Sequence, residues 1–205
     1  MKKPKLIGIV GGSCSGKTTF ASELKKKFKN KSIVLSQDNY YRGLNSSEEP
    51  SSYNFDHPNA LDLEQMKLDL ISLKKGFPVS IPSYDFNTHK RSNKTINITP
   101  PDLLIIEGLF LFSHKEIRNF FDIKVFFNVP ETDRLKRRLK RDVLERGRSR
   151  DEVLWRFNKH CEPAYKKFIL PSAKYADINI SPTDGFGSSY ENQLSHIIYL
   201  LEQIS

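Results

Sequence analysis

Residues 11–20, GGSCSGKTTF, directly follow the apolar run LIGIV at residues 6–10. A short apolar run of this kind predicts a buried strand, and the adjacent glycines predict a tight turn. The residues from Lys17 onward have helical character to about residue 28. A strand, a glycine-rich turn and a helix in this order predict a loop that binds phosphate.

Gly11, Gly16, Lys17 and Thr18 match the fixed positions of the P-loop pattern G-x-x-x-x-G-K-[ST]. In such a loop the main-chain amides cradle the β-phosphate, and the following helix adds its dipole. We expect Lys17 to reach the β- and γ-phosphates and the Thr18 hydroxyl to ligate Mg²⁺. The predicted residues for binding a nucleoside triphosphate are those of the whole loop: Gly11, Gly12, Ser13, Cys14, Ser15, Gly16, Lys17, Thr18 and Thr19.

The chain has 205 residues, of which 38% are hydrophobic, and a net charge of +9. This length predicts one domain over residues 1–205. We find neither a membrane-spanning apolar stretch nor a secretory leader, and the two cysteines, Cys14 and Cys161, suit a reducing compartment. We therefore expect a cytoplasmic protein without membrane contact. The positive charge fits either nucleic acid or a small polyanionic substrate.

Apolar runs alternate with helical patterns along the chain. Strands are predicted at residues 6–10, 32–36, 103–106, 124–129 and 177–180, and helices at 17–28, about 61–76, 131–146, 151–168 with an interruption at Pro163, and 190–204. This alternation predicts an α/β fold, a P-loop NTPase-type parallel sheet with helices on both faces. Residues 78–98 predict an inserted β-hairpin whose polar turn contains Asn87 and Asn93, and residues from about 134 to 160 predict an arginine-rich helical lid.

Two carboxylates follow predicted strands. Asp38 comes soon after residues 32–36, and Glu107 comes directly after residues 103–106. Ligands bind beyond the carboxyl ends of parallel strands, so both acids are expected beside the phosphate loop. We expect Glu107 to bind Mg²⁺ with Thr18, and Asp38 to accept a proton from an attacking hydroxyl. A helix cap or a solvated turn is the alternative for each acid. Two carboxylates with separate roles, and the lack of a guanine-reading Asn-Lys-x-Asp motif, favour a kinase.

The predicted helix at residues 131–146 has a stripe of Leu135, Leu139 and Val143, which we expect to pack in the core. Arginines occupy a neighbouring face and the residues beyond: Arg134, Arg138, Arg141, Arg146, Arg148 and Arg150. These arginines are either a solvated face or a mobile lid that neutralises phosphoryl charge. The nearby phosphate loop favours the lid.

Several motifs in order resemble the uridine kinase (uridine–cytidine kinase) family, from the first strand to about residue 180. They are GGSCSGKTT at 11, SQDNYYR at 36, NFDHPNA at 54, YDFNTHKR at 84, IIEG at 105, RRLKRDVLERGR at 137 and KYAD at 174. The resemblance implies transfer of a phosphoryl group from ATP or GTP, with Mg²⁺, to the 5′-hydroxyl of uridine or cytidine. It also implies pyrimidine salvage, a small-molecule nucleoside substrate rather than nucleic acid, and a homo-oligomer, commonly a tetramer.

The resemblance also implies roles for individual residues. Asp38 is the implied general base, acting with Lys17. The implied nucleoside contacts are Tyr41, Phe55 and Asp56, with Asp56 on the ribose hydroxyls, and Tyr84, Phe86 and His89 on the hairpin. For the aromatic residues, packing within the hairpin core stays an alternative. Four further residues resemble lid residues that contact substrate and phosphates and are termed the lid arginines: Arg138, Arg141, Arg146 and Arg148.

Two positions depart from the family pattern. Arg156 replaces a more usual Gln near the nucleoside, so the preference between nucleoside bases is affected. Residues 181–187 replace a Pro-Arg-Gly-type turn near the donor base, so the preference between ATP and GTP is affected. Two other functions stay open. One is a related P-loop kinase for pantothenate or a pentose phosphate, against which the Asp-His-Pro and hairpin motifs argue. The other is a non-enzymatic nucleotide- or nucleic-acid-binding protein.

Overall fold

The computed structural model describes residues 3–45, 47–50, 52–86, 88–182 and 188–203. The strands are β1 (Lys5–Gly11), β2 (Ser32–Ser36), β3 (Val79–Asp85), β4 (Lys90–Ile98), β5 (Leu103–Gly108), β6 (Ile123–Phe127) and β7 (Ile178–Ile180). The α-helices are α1 (Lys17–Phe28), α2 (Leu63–Lys74), α3 (Lys115–Arg118), α4 (Glu131–Arg146), α5 (Arg150–Arg156), α6 (Glu162–Ala164) and α7 (Ser188–Gln203). The short helix α3 and a 3₁₀ turn at Gln37–Tyr40 were not predicted from the sequence.

Five strands form one parallel sheet in the order β2-β5-β1-β6-β7. The two central strands, β1 and β5, are almost wholly buried, as their unbroken apolar runs predict for strands covered on both faces. Ile9 and Ser36 both pair with Glu107, so the carboxyl ends of three neighbouring strands lie at one edge. The predicted parallel sheet is confirmed.

Apolar side chains pack on both faces of this sheet because successive strand residues point to opposite sides. One core contains Leu6 and Val10 of β1 and the buried face of α2. The other contains Ile7 and Ile9 with Phe20 of α1 and residues of α7. Helices therefore cover both faces, as the sequence predicts. In the part of the chain that the structure describes, no helix is long and apolar enough to cross a membrane.

Strands β3 and β4 form the inserted antiparallel hairpin. The second strand is longer than predicted, and Asn93 lies within β4 instead of in the turn, because pairing extends back to Lys90 opposite Asp85. Asn87 lies outside the described residues. Arg91 of β4 joins the hairpin to the main domain, since its Nε donates to the Tyr41 carbonyl oxygen at 2.8 Å.

The prediction for the inner face of α4 was wrong. Val143 is 39% exposed, whereas Arg134, Arg138 and Asp142 are buried. Leu135 and Leu139 are only half-buried. Buried charges require charged or hydrogen-bonding partners, and acidic side chains from other elements supply them here. The helix is therefore turned so that its charged face points inward.

The predicted interruption at Pro163 was also wrong. Helical structure continues from α5 through π-helical turns at Phe157–Cys161 and Tyr165–Ile169 on either side of α6, and then through a 3₁₀ segment at Leu170–Tyr175. Proline lacks an amide hydrogen and clashes with the preceding turn of a regular helix. The wider π turns accommodate the proline without ending the helical segment.

The segment at 181–187, which departs from the family pattern near the donor base, lies mostly outside the described residues, since the structure does not describe residues 183–187.

Candidate active site

A cavity of about 770 Å³ opens at the edge of the sheet where β1, β2 and β5 end. It brings together most of the residues that the sequence analysis singled out. They are Ser13, Cys14, Gly16, Lys17, Thr18 and Thr19 of the loop, the acids Asp38, Asp56 and Glu107, the aromatic residues Tyr41, Phe55, Tyr84, Phe86 and His89, and the four lid arginines. One cavity therefore combines a phosphate loop, carboxylates, aromatic rings and cations.

The loop after β1 has the backbone shape that turns its amides toward the cavity. Cys14 and Gly16 have positive φ angles of 61° and 101°. Gly16 adopts this left-handed conformation at little cost because it has no Cβ, and it begins α1. The Lys17 side chain is buried, and its Nζ donates to the Gly12 carbonyl oxygen at 3.1 Å. The lysine is thus held at the loop, beside the start of the helix.

Arg134 of α4 supports this loop from behind. A Cβ at Gly12 would lie 2.8 Å from Arg134 Cδ, so a larger residue would have to displace the Arg134 side chain. Arg134 Nη2 donates to Glu162 Oε2 at 2.7 Å, and its guanidinium lies 3.9 Å from the centre of the Tyr165 ring. Gly11, Gly12 and Ser15 do not line the cavity. Their main chain shapes the loop instead, as in the bond from the Ser15 amide to the Gly12 carbonyl oxygen at 3.2 Å.

Asp38 and Glu107 line the same cavity, and Ser36 connects the Glu107 carboxylate to the main chain of Asp38. The Ser36 hydroxyl donates to Glu107 Oε1 at 2.6 Å, and it accepts a hydrogen bond from the Asp38 amide at 3.3 Å. Burial and the negative charge of Glu107 raise the pKa of Asp38 to about 6, although Lys17, Arg146 and Arg141 act in the opposite direction. Asp38 therefore has a proton affinity suited to a base near neutral pH.

Two side chains beside the phosphate loop are suited to bind a divalent cation. Thr18 and Glu107 both line the cavity beside the loop, and a hydroxyl with a carboxylate is a ligand pair that Mg²⁺ accepts. The negative charge of Glu107 raises the pKa of the nearby Asp38, and a cation bound beside the two carboxylates would relieve this repulsion. Among the described residues, no three His, Cys, Asp or Glu side chains gather into a metal-binding group. A cation here would take its remaining ligands from phosphate and water.

Five rings form what we term the aromatic chamber: Tyr41, Phe55, Tyr84, Phe86 and His89. The His89 ring stacks on Phe55 at a centroid distance of 4.8 Å, and Tyr41 lies 5.1 Å from Tyr84. The Tyr41 hydroxyl donates to the Phe55 carbonyl oxygen at 3.0 Å, which joins the loop before α2 to this cluster. Phe86 is 43% exposed despite these contacts. The chamber thus offers ring faces to a planar ligand.

Charged groups border the aromatic chamber. Burial, together with the nearby Arg148 and Arg156, lowers the pKa of His89, so this ring stays neutral at physiological pH. Asp56 lies 3.7 Å from Arg138, measured between Oδ1 and Nη1. Arg156 is held by Glu152 at 2.9 Å and by the Pro50 carbonyl oxygen at 2.7 Å. The chamber therefore has a cationic side and one acidic side chain.

Some residues of the cavity wall were not among the predicted site residues: Ser36, Asn39, Gly108, Leu109, Arg137, Glu145 and Arg156. The rule that identified Asp38 and Glu107, proximity to the carboxyl end of a strand, also applies to Ser36 and Gly108. Arg156 attracted notice only as a departure from a family pattern. Arg137 and Glu145 belong to the motif RRLKRDVLERGR at 137, but no role was assigned to either of them.

Comparison with known proteins identifies the family. The model of the phosphoribulokinase/uridine kinase family matches residues 6–184. The chain belongs to the phosphoribulokinase/uridine kinase family. A uridine kinase of Lactobacillus helveticus is 41% identical over 189 residues, which is 90% of this chain and 89% of that protein.

Longer relatives match over part of their length. Uridine-cytidine kinase A of Dictyostelium discoideum is 41% identical over 87% of this chain, and a chloroplastic uridine/cytidine kinase of Arabidopsis thaliana is 42% identical over 87%. The matched regions span only 36% and 38% of those two proteins.

Solved structures share the fold. A putative fructose transport system kinase from Silicibacter has a TM-score of 0.70 at 21% identity, and the match covers 88% of this chain and 91% of that one. Phosphoribulokinase from Rhodobacter spheroides has a TM-score of 0.67 at 16% identity, and the match covers 93% of this chain and 75% of that one. At these identities the likeness concerns the fold alone.

Proposed function

We propose that the protein transfers the γ-phosphoryl group of ATP or GTP to the 5′-hydroxyl of uridine or cytidine, giving UMP or CMP. One observation carries the proposal. Asp38, whose pKa is raised to about 6, lies in the same cavity as the phosphate-loop lysine and the aromatic chamber. A base that shares a cavity with a phosphate loop and with stacked rings suits phosphoryl transfer to a nucleoside hydroxyl. The names of the curated relatives support the same activity.

In the proposed reaction the donor phosphates bind at the loop, where Lys17 leaves the Gly12 carbonyl oxygen to contact the β- and γ-phosphates. Thr18 and Glu107 would hold Mg²⁺, which neutralises phosphate charge when bound. The lid arginines surround the γ-phosphoryl group, stabilise the charge on its oxygens and exclude water. This part of the site determines where the transferred group lies.

The nucleoside base stacks in the aromatic chamber, and Asp56 accepts hydrogen bonds from the ribose hydroxyls. The 5′-hydroxyl then points at Asp38, which takes its proton. The hydroxyl oxygen forms a bond to the γ-phosphorus as the bond from that phosphorus to the β–γ bridging oxygen breaks. ADP or GDP leaves, and Asp38 releases the proton to solvent.

A coupled ADP-release assay with ATP and Mg²⁺ tests the proposal, with uridine, cytidine, adenosine, thymidine and pantothenate as acceptors. We expect turnover with uridine and cytidine alone. No turnover with these two nucleosides, with ATP or with GTP, would contradict the proposal. Salt-sensitive binding to nucleic acid without any turnover would favour a non-enzymatic role instead.

Two variants separate the roles within the site. Asp38→Asn is expected to keep ATP binding but to reduce turnover by orders of magnitude, because the hydroxyl loses its proton acceptor. Lys17→Ala is expected to weaken both ATP binding and the rate. Near-normal turnover in Asp38→Asn would remove the residue from the role of base, and an unchanged rate in Lys17→Ala would remove the loop lysine from the mechanism.

The remaining proposals rest on family resemblance. We propose a place in pyrimidine salvage in the cytoplasm and a homo-oligomeric assembly, a tetramer by analogy. Light scattering coupled to gel filtration measures the assembly directly. Comparison of ATP with GTP in the same coupled assay measures donor preference.

A further inference from the structure

One buried carboxylate on α4 lies among all four lid arginines. Asp142 is completely buried on the inner face of this helix. Its carboxylate oxygens lie 2.8 Å from Arg141 Nε, 3.3 Å from Arg138 Nε, 3.6 Å from Arg146 Nη1 and 3.8 Å from Arg148 Nη1. These arginines come from two turns of α4 and from the segment that follows it. Arg138 and Arg146 lie four residues to either side of Asp142 on the helix, and Arg141 is its neighbour, so helical spacing brings these three together, whereas Arg148 lies beyond the end of α4.

The main chain of Asp142 contributes to the same arrangement. Its carbonyl oxygen accepts hydrogen bonds from the amides of Gly147 and Arg148, and Gly147 has a positive φ of 63°. This left-handed residue ends the helix and turns the chain back. Arg148 is thereby brought toward the carboxylate of a residue six positions earlier in the chain. The main chain of residue 142 thus holds the turn, and its carboxylate lies at ion-pair distance from the side chain that the turn carries.

The charges of this group do not balance. The Asp142 carboxylate faces four positive guanidinium groups, and only its contact with Arg141 has hydrogen-bond geometry. Two further acids lie near this group, Asp56 at 3.7 Å from Arg138 and Glu152 at 3.8 Å from Arg148, so cations still outnumber carboxylates. The Oδ2 atom is buried and makes no hydrogen bond with the described residues. The other three guanidinium groups are held at ion-pair distance and keep N–H donors for another anion. All four line the cavity beside the phosphate loop.

We propose that Asp142 is a positioning residue, which holds the lid arginines in the arrangement that receives the transferred phosphoryl group. The proposal rests on the proposed function, in which these arginines stabilise the charge on that group. Asp142 lies behind the arginines and acts through them. The carboxylate reduces the repulsion among four cations while leaving a net positive charge toward the cavity. Phosphoryl transfer depends on such alignment more than on total charge.

This role predicts a specific kinetic pattern. Asp142→Asn removes one negative charge, so the cavity becomes more positive and its affinity for a polyphosphate is kept or increased. The guanidinium groups then repel one another and lose their common orientation. We expect kcat to fall at least tenfold, since misplacement by about 1 Å costs up to a hundredfold in rate. Affinity for anions and turnover would therefore change in opposite directions.

The experiment compares wild type, Asp142→Asn, Asp142→Glu and a control, Asp133→Asn, which removes a carboxylate from the first turn of the same helix. Calorimetric titration with inorganic tripolyphosphate measures anion binding without any nucleoside. The coupled assay with ATP and uridine measures kcat and KM, and circular dichroism checks folding. We expect kcat to fall in the order wild type, Glu, Asn, with tripolyphosphate affinity in Asp142→Asn at least equal to that of wild type. Asp133→Asn should keep the wild-type kcat.

Three results would overturn the proposal. The first is that folded Asp142→Asn has a kcat within twofold of wild type. The second is that this variant loses tripolyphosphate affinity in parallel with kcat. The third is that Asp142→Glu has a kcat as low as that of Asp142→Asn. If Asp142→Asn does not fold, Asp142→Glu decides. Its longer side chain displaces the carboxylate, so reduced kcat with unchanged tripolyphosphate affinity supports positioning, and a wild-type kcat refutes it. Absence of turnover in wild type itself would contradict the proposed function, while tripolyphosphate titration of the variants would still report on the arginines.

Discussion

Acidification from pH 7 to pH 5 is expected to reduce kcat/KM about tenfold, through protonation of one carboxylate. Burial and the charge of Glu107 raise the pKa of Asp38 from 3.8 to about 6. An acid with a pKa of about 6 is about 90% ionised at pH 7 and about 10% ionised at pH 5. An ordinary aspartate with a pKa of 3.8 would remain about 90% ionised at pH 5. Because only the ionised form accepts a proton, activity is present above the raised pKa and is lost as the pH falls through it.

The coupled assay from pH 5 to pH 8 measures this profile, with the coupling enzymes in excess at each pH. Carbon-detected NMR of the side-chain carboxyl gives the pKa of Asp38 directly, and Asp38→Asn identifies its resonance. Arg146→Gln provides a test of the cause. The positive charge of Arg146 lowers the pKa of Asp38, so its removal should move the acidic limb of the profile to higher pH. A profile that stays flat down to pH 5, or a limb that does not move in Arg146→Gln, would refute the electrostatic reasoning.

Three further predictions concern stability. Asp38→Asn should raise the free energy of unfolding by up to about 3 kcal/mol at pH 8, because a pKa raised from 3.8 to about 6 means that burial disfavours the ionised group by that amount. The effect should disappear below about pH 3, where the group is protonated in both states. Urea denaturation at the two pH values measures this, and an equal effect at both would contradict the prediction. Gly12→Ala should lower the free energy of unfolding by about 1–3 kcal/mol and raise KM for ATP, because its Cβ would lie 2.8 Å from Arg134 Cδ. Thermal unfolding measures the first effect and the coupled assay the second. A neutral result would mean that Arg134 can move aside. Glu162→Gln should lower the free energy of unfolding by about 3–5 kcal/mol, because it leaves the buried Arg134 guanidinium without its charged partner. The control Glu131→Gln removes one partner of the exposed ion pair with Lys166 and should cost less than about 1 kcal/mol. Equal costs by urea denaturation would show that burial does not determine how much an ion pair contributes.

The sheet and the phosphate loop were predictable because their signals are local. The unbroken apolar run of β5 predicts a strand that is buried on both faces. The glycine before α1, Gly16, predicts a turn because it adopts a positive φ angle that other residues avoid. The placement of Asp38 and Glu107 at one edge followed from parallel pairing alone, since residues near the carboxyl ends of adjacent parallel strands meet. None of these inferences required knowledge of side-chain contacts.

The sequence by itself therefore determined where the strands of the parallel sheet lie along the chain, the phosphate loop and the types of group that meet at the site. Only the tertiary structure decided the orientation of α4, where Arg134, Arg138 and Asp142 are buried and Val143 is exposed. An amphipathic pattern shows which residues share a face, but it assumes that the apolar face is the inner one. That assumption fails where distant acids, such as Glu162 and Asp56, compensate buried cations. Such compensation depends on contacts between residues far apart in the chain, which is why it became visible only in the folded protein.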